Sequence, residues 1–320
     1  MDYFASKPTE GFHFKDILYE KKDWVARVTI NRPESFNCYT TGTLQELTAA
    51  IDDASSDDKV GVIVLTGAGD KAFCTGGDVK EYAGTYTRRP RDYWKYMGLF
   101  SKYIESILRS GKVTIARLNG IAVGGGNETQ LACDLAVMAD DTWLGQVGTS
   151  VGSVAAGGAT QWLSIHVGDR RAREMLFLNP RIPAQKALEW GLVNRVVPRA
   201  KLDEEVAALA KQVLEKFPEC TRYTKAQVNF WKEASWHATV GHARDWLSTH
   251  FTSLEPYEGM QAFVEKRKPN YRGLRETAAA GGSSEFLWGP YRHTCPSCGA
   301  KGIPSNFAFC GQCGAKLDTP

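Results

Sequence analysis

The sequence has no long hydrophobic run. Its longest clear one, residues 60–65, has the length of a buried strand and falls far short of the ~18 residues needed to cross a bilayer. Charge of one sign is also scarce. Lys and Arg number 39 against 36 Asp and Glu, a net +3. That is too little to imply nucleic acid or an anionic membrane as the main partner. The first residues lack a basic stretch followed by an apolar one, so no secretory leader is expected and the chain reads as cytoplasmic. A cysteine framework is missing too. Cys38, Cys74, Cys133 and Cys220 are scattered, whereas Cys295, Cys298, Cys310 and Cys313 crowd the C-terminal end. This distribution fits a reducing compartment and a metal-binding tail better than disulfides.

What is present is ordinary for a folded protein, with 43% apolar and 23% charged residues. At ~100–200 residues per domain, 320 residues predict one large domain, or one plus a small appendage. Residues 23–31, 59–66, 113–118 and 133–138 read as strands. The run at 59–66 is nearly continuous in β-branched residues and predicts burial on both faces. Residues 43–55 have helical spacing (Leu44, Leu47, Ala50, Ile51), with Thr41 or Thr43 as the cap. Strands followed by glycine-rich turns and helical stretches make an alternating α/β pattern. Residues 200–266 are helical in pattern. Residues 277–285 are small and polar and read as the best linker.

Beyond that linker stand two CxxC pairs, Cys295 with Cys298 and Cys310 with Cys313, each trailed by a glycine, Gly299 and Gly314. Four thiolates at this spacing predict a closed tetrahedral zinc site, structural rather than catalytic. A segment this short cannot fold on apolar burial alone, so the metal must supply the folding energy. Phe307 and Phe309 offer packing against the body or a protein partner. Basic residues are too few for a nucleic-acid surface.

Two loops carry the chemistry: residues 72–78, with Gly76, Gly77 and Asp78, and residues 120–128, with Gly124, Gly125, Gly126 and Glu128. Each follows a predicted strand and precedes a helix. Glycine there lets the backbone approach a ligand and aim N–H groups at an anion, so two such loops can pair their amides around one oxygen. Asp78 reads as a helix cap. Cys74 has nothing adjacent to lower its pKa and is not a nucleophile.

These loops and their flanks resemble the crotonase (enoyl-CoA hydratase/isomerase) superfamily. The flanks include Asn31, Arg32 and Pro33, the pair Gly145–Gln146, residues 157–161 and 187–194, and Glu265, Lys266 and Arg267. The resemblance covers roughly residues 15–270. It implies an α/β fold, a spiral of ββα units with a C-terminal helical region. The body would span 1–268, with the spiral core to about 200 and the helical part at 201–268. A linker, 269–292, would join it to the zinc ribbon, 293–320. The resemblance also implies trimers or dimers of trimers and an acyl-CoA thioester substrate, coenzyme A being part of that substrate rather than a resident cofactor. The amides of Gly77 and Gly125 match the two donors that hold the thioester oxygen. Glu128 matches the first catalytic glutamate of the hydratases. Lys266, with Phe263 on the same segment, matches a position that reaches CoA phosphates, and Arg32 belongs to the matching CoA-side segment.

The hydratases' second glutamate falls on Gly148, which argues against simple hydration. Residues 152–160 instead resemble 6-oxocyclohex-1-ene-1-carbonyl-CoA hydrolase, an alicyclic ring hydrolase of aromatic degradation. The related dihydroxynaphthoyl-CoA synthase carries an aspartate where this chain has Ala155. On this reading Tyr82 or Tyr86 would meet the ring oxygen, and Ser150 or Ser153 would stand near the vanished glutamate. Other readings are a hydratase or isomerase for another acyl-CoA, and a non-enzymatic scaffold that docks through the ribbon.

Overall fold

The computed structural model describes residues 6–282, 291–304 and 307–317. Ten strands build the body: β1 (Ile17–Lys22), β2 (Val25–Ile30), β3 (Val62–Gly67), β4 (Ala72–Cys74), β5 (Val113–Leu118), β6 (Ile121–Val123), β7 (Leu135–Ala139), β8 (Trp143–Gly145), β9 (Ile182–Pro183) and β10 (Arg195–Val197). They form a six-stranded sheet, order β1-β2-β3-β5-β7-β10, and a four-stranded sheet, order β4-β6-β8-β9. From β3 to β8 the chain alternates between the sheets. Each turn of the spiral lays one strand in each sheet and returns through a helix.

The helices are α1 (Thr41–Ser56), α2 (Val79–Glu81), α3 (Pro90–Leu108), α4 (Gly125–Ala132), α5 (Ala159–Val167), α6 (Asp169–Leu178), α7 (Ala184–Glu189), α8 (Leu202–Leu214), α9 (Pro218–Val228), α10 (Phe230–His250), α11 (Leu254–Val264) and α12 (Tyr271–Ala279). A π-helical turn, Tyr82–Tyr86, continues α2. Among the described residues no helix is long and apolar enough to cross a membrane.

All six residues of β3 are buried, because side chains alternate across a strand and both faces are covered. Val62 and Val64 pack with Val206 and Leu209 of α8, whereas Ile63 and Leu65 enter the main core. The cap of helix α1 is Thr40, ahead of the expected Thr41 or Thr43. Thr40 accepts from the Thr43 amide while Thr43 returns a bond to the Thr40 amide, a reciprocal cap. The segment expected as linker contains α12, capped by Asn270 on the Gly273 amide at 3.0 Å and tied back by Tyr271 Oη donating to the Ser150 carbonyl at 2.9 Å. Residues 283–290 of that segment lie outside the described residues.

Candidate active site and metal centre

Strands β4, β6 and β8 are parallel neighbours. Sheet spacing of about 4.8 Å therefore brings three segments together at their C-terminal ends: residues 75–78, 124–128 and 146–148. Ligands in α/β folds bind at such strand ends. A cavity of 430 Å³ opens there, lined by Gly77, Tyr82, Gly125, Glu128, Gln146, Ser153 and Phe263 among others.

The direction of the Gly77 amide follows from its neighbours. The Tyr39 amide donates to the Gly76 carbonyl at 2.9 Å, and the Tyr39 carbonyl accepts from the Asp78 amide at 3.0 Å. Peptides are planar and trans here, so the Gly77 N–H must point away from Tyr39. Gly125 is the first residue of α4, where amides have no partner within the helix. Gly124, at φ 56° and ψ −125°, makes the turn that aims it. The two loops touch: a Cβ on Gly76, already at φ +84°, would lie 2.8 Å from the Gly125 nitrogen. A side chain on Gly77 would strike the Tyr82 hydroxyl, and one on Gly125 the Tyr39 hydroxyl. Both donors are thus bare amides backed by phenols. Asp78 accepts from the amides of Lys80 and Glu81 and caps α2.

Glu128 is 4% exposed. Its Oε1 accepts from the amides of Gly157 at 2.7 Å and Ala159 at 3.2 Å, which leaves Oε2 without a hydrogen-bond partner among the described residues. Burial pushes the carboxyl up to about 7, and the Ala159 and Gly157 amides pull it back only in part. A carboxyl poised there can take or give a proton near neutral pH.

Aromatic hydroxyls face this carboxylate. Tyr82 pairs with Tyr96 at 2.5 Å, and Ser153 lies beside the Tyr93 hydroxyl. Burial holds these phenols protonated. Gln146 is 1% exposed and lines the cavity, yet both polar atoms of its amide lack a partner among the described residues. At Gly148 an added Cβ would lie 3.0 Å from the Ser153 carbonyl oxygen and 3.2 Å from the Ala155 nitrogen. The backbone of 153–155 occupies the space through which a glutamate would project.

Several predicted residues sit elsewhere. Arg32 is bound to the Cys38 carbonyl at 2.5 Å and to Asp78 at 3.2 Å. It braces the first loop instead of lining the cavity, because these internal acceptors neutralise it. Ser150 bonds Asn179 at 2.6 Å, and Tyr86 bonds Thr41; neither lines the cavity. Lys266 is exposed just past α11, at φ +56°, and Phe263 at the cavity wall is 55% exposed. Burial pushes the Cys74 thiol up to about 12, so it is not a nucleophile. Tyr39 and Gln146 were missed as site residues, the first resembling any core aromatic.

The C-terminal cysteines form a separate centre. Their sulfurs lie within 4.8 Å of one another, with Cys295 to Cys313 at 3.6 Å and Cys298 to Cys310 at 3.7 Å. Tetrahedral zinc with bonds of about 2.3 Å places sulfurs about 3.8 Å apart, so the thiols fit one shared ion. The two knuckles match: Gly299 and Gly314 sit at φ 73° and 74°, and each amide returns to the first cysteine's carbonyl, at 3.0 and 2.9 Å. The cluster is compatible with a small zinc ribbon.

Two bare glycine amides on touching loops, beside one carboxyl with a raised pKa, line one cavity, and such groups are the kind that can stabilise an enolate. The enoyl-CoA hydratase/isomerase family profile matches residues 20–274. Among solved structures, an enoyl-CoA hydratase from Bacillus anthracis is 32% identical, covering 81% of this chain and 100% of its own, with TM-score 0.65. An enoyl-CoA hydratase from Mycobacterium avium subsp. paratuberculosis K-10 is 27% identical over 80% and 98%, with TM-score 0.73. An enoyl-CoA hydratase/isomerase from Xanthobacter autotrophicus Py2 is 28% identical over 83% and 97%, with TM-score 0.73. The chain belongs to the enoyl-CoA hydratase/isomerase family, the crotonase superfamily of acyl-CoA enzymes.

Proposed function

We propose that the protein hydrates an alicyclic oxo-enoyl-CoA and then cleaves its ring hydrolytically, as a 6-oxocyclohex-1-ene-1-carbonyl-CoA hydrolase does. Water adds across the ring C=C conjugated with the thioester. A second water attacks the ring ketone. The bond between the former ketone carbon and the α-carbon breaks, and its electron pair passes to the thioester as an enolate. The α-carbon then takes a proton, and the former ketone carbon becomes the terminal carboxylic acid of the opened chain, still joined to the thioester through the other ring carbons. The amides of Gly77 and Gly125 hold the thioester oxygen in both stages, and Glu128 moves the protons of water. The amides are fixed before reaction and so cost no reorganisation, which is why such donors are worth ~10²–10³ in rate each.

The observation that carries this reading is the chemistry of the acyl end. One carboxylate, an unpartnered Gln146 amide, Ser153 and Tyr82 line it, and unpartnered buried amides are costly. A plain alkyl chain would leave the Gln146 amide unmet, whereas a ring oxygen would meet it. The names of the solved relatives favour a second reading, hydration or isomerisation of another acyl-CoA. Lys266 would reach CoA phosphates across a subunit boundary in a homotrimer. Zinc would hold the ribbon together, leaving its surface free to dock a protein. Purified protein is assayed with a cyclic oxo-enoyl-CoA and with crotonyl-CoA. Ring opening is the expected result. Fast hydration of crotonyl-CoA with the cyclic ester untouched would overturn the ring-hydrolase reading.

A further inference from the structure

We infer that Tyr39 is a catalytic residue, its hydroxyl a third hydrogen-bond donor to the oxygen gripped by Gly77 and Gly125. This rests on the thioester reading of the same site. The backbone of Tyr39 fixes the first loop through its bonds to Gly76 and Asp78. Its ring crosses to the second loop, stacked on Phe100 at 5.5 Å and edge-on to Tyr103 at 6.3 Å. The hydroxyl ends against Gly125, where any Cβ would collide with it. One residue therefore ties the first loop by its backbone and reaches the second with a hydroxyl.

That hydroxyl has no internal use. Three other phenols are satisfied: Tyr19 donates to Asp53 at 2.6 Å, Tyr82 pairs with Tyr96, and Tyr86 pairs with Thr41; the Tyr103 hydroxyl also lacks a partner among the described residues but does not line the cavity. Tyr39 is 2% exposed, its hydroxyl has no hydrogen-bond partner among the described residues, and it lines the cavity. Buried polar groups without a protein partner are uncommon and call for a ligand or water. Burial, with Tyr82, Cys74 and Glu128 adding to it, holds the phenol well above its ordinary pKa. It stays protonated and donates a hydrogen bond without passing its proton on.

The test is Tyr39→Phe, which keeps the ring between Phe100 and Tyr103. Turnover of the cyclic oxo-enoyl-CoA and of crotonyl-CoA, and exchange of the α-hydrogens of butyryl-CoA in D₂O, are followed in wild type and variant. In addition, ¹³C NMR reads the carbonyl shift of bound [1-¹³C]butyryl-CoA. Expected are a fall in kcat and exchange of roughly 10- to 100-fold, KM within about threefold, and an unchanged thermal midpoint. The bound carbonyl signal should move back toward its position in water, which a purely structural role would not cause. Variant activity within twofold of an active wild type, with the carbonyl signal unmoved, overturns the role of Tyr39 alone. A wild type inert in turnover and exchange, with no shift of the bound carbonyl, overturns the thioester reading and this inference with it.

Discussion

Replacing Glu128 with glutamine separates the chemistry of this residue from its packing. Glutamine is isosteric, and its carbonyl oxygen can keep both bonds from Gly157 and Ala159. Only the titration and the charge at the second oxygen are lost. Losing a general acid or base costs ~10²–10⁴ in rate, so kcat should fall by that much. Stability should move the other way. The folded-state carboxyl sits at about 7 against an ordinary 4.5, so the native protein holds this proton more tightly than the unfolded chain. Wild-type stability therefore declines as pH rises from about 4.5 through about 7 and levels off above it. At 1.36 kcal/mol per unit, the penalty at high pH approaches about 3 kcal/mol as an upper bound. Glu128→Gln should thus match wild type at pH 5 and exceed it at pH 8.5. Calorimetry at the two pH values, beside turnover assays, reads both effects. A variant with more than a tenth of wild-type turnover, or a stability difference that ignores pH, would refute the reasoning.

Gly125→Ala should lower kcat at least 100-fold, because its methyl meets the Tyr39 hydroxyl; adding Tyr39→Phe should recover part of the lost thermal stability, read by calorimetry. Gly148→Glu should not create a hydratase: the side chain meets the Ser153–Ala155 backbone, so crotonyl-CoA hydration stays low and stability drops by about 1–3 kcal/mol. The wild-type pH profile of kcat/KM should bend near pH 7, and the bend should vanish in Glu128→Gln. Metal analysis should find one zinc per chain, lost in Cys298→Ser and Cys313→Ser while the unfolding transition of the body stays in place.

Much of this was legible in the residues. The largely β-branched run at 59–66 announced a strand buried on both faces, and the two glycine loops with Glu128 pointed to the cavity that they line together. The rest depends on long-range contacts. Strands β4, β6 and β8 have three residues each, too few for a period to register, so the second sheet that aligns the loops left no local signal. The α1 cap is Thr40 rather than the expected Thr41 or Thr43, because neighbouring threonine hydroxyls are equivalent until the backbone shows which one lies just outside the helix. The two amides that anchor Glu128 come from 157 and 159, far along the chain, and nothing near Glu128 foretells them. The expected linker hid α12 because its end, at Gly281 and Gly282, does read as loop, whereas its alanines and the Arg272–Glu276 pair at 2.8 Å favour a helix. Arg32 was drawn toward the ligand by its neighbours in sequence, but Cys38 and Asp78 claim it.

The most direct test of the enolate site is a crystal structure of the chain with a bound acyl-CoA. The thioester oxygen should sit within about 3.1 Å of the Gly77 and Gly125 nitrogens, with the acyl group between Glu128 and Gln146. A thioester carbonyl turned away from both amides, or an acyl chain lodged outside this cavity, would contradict the account.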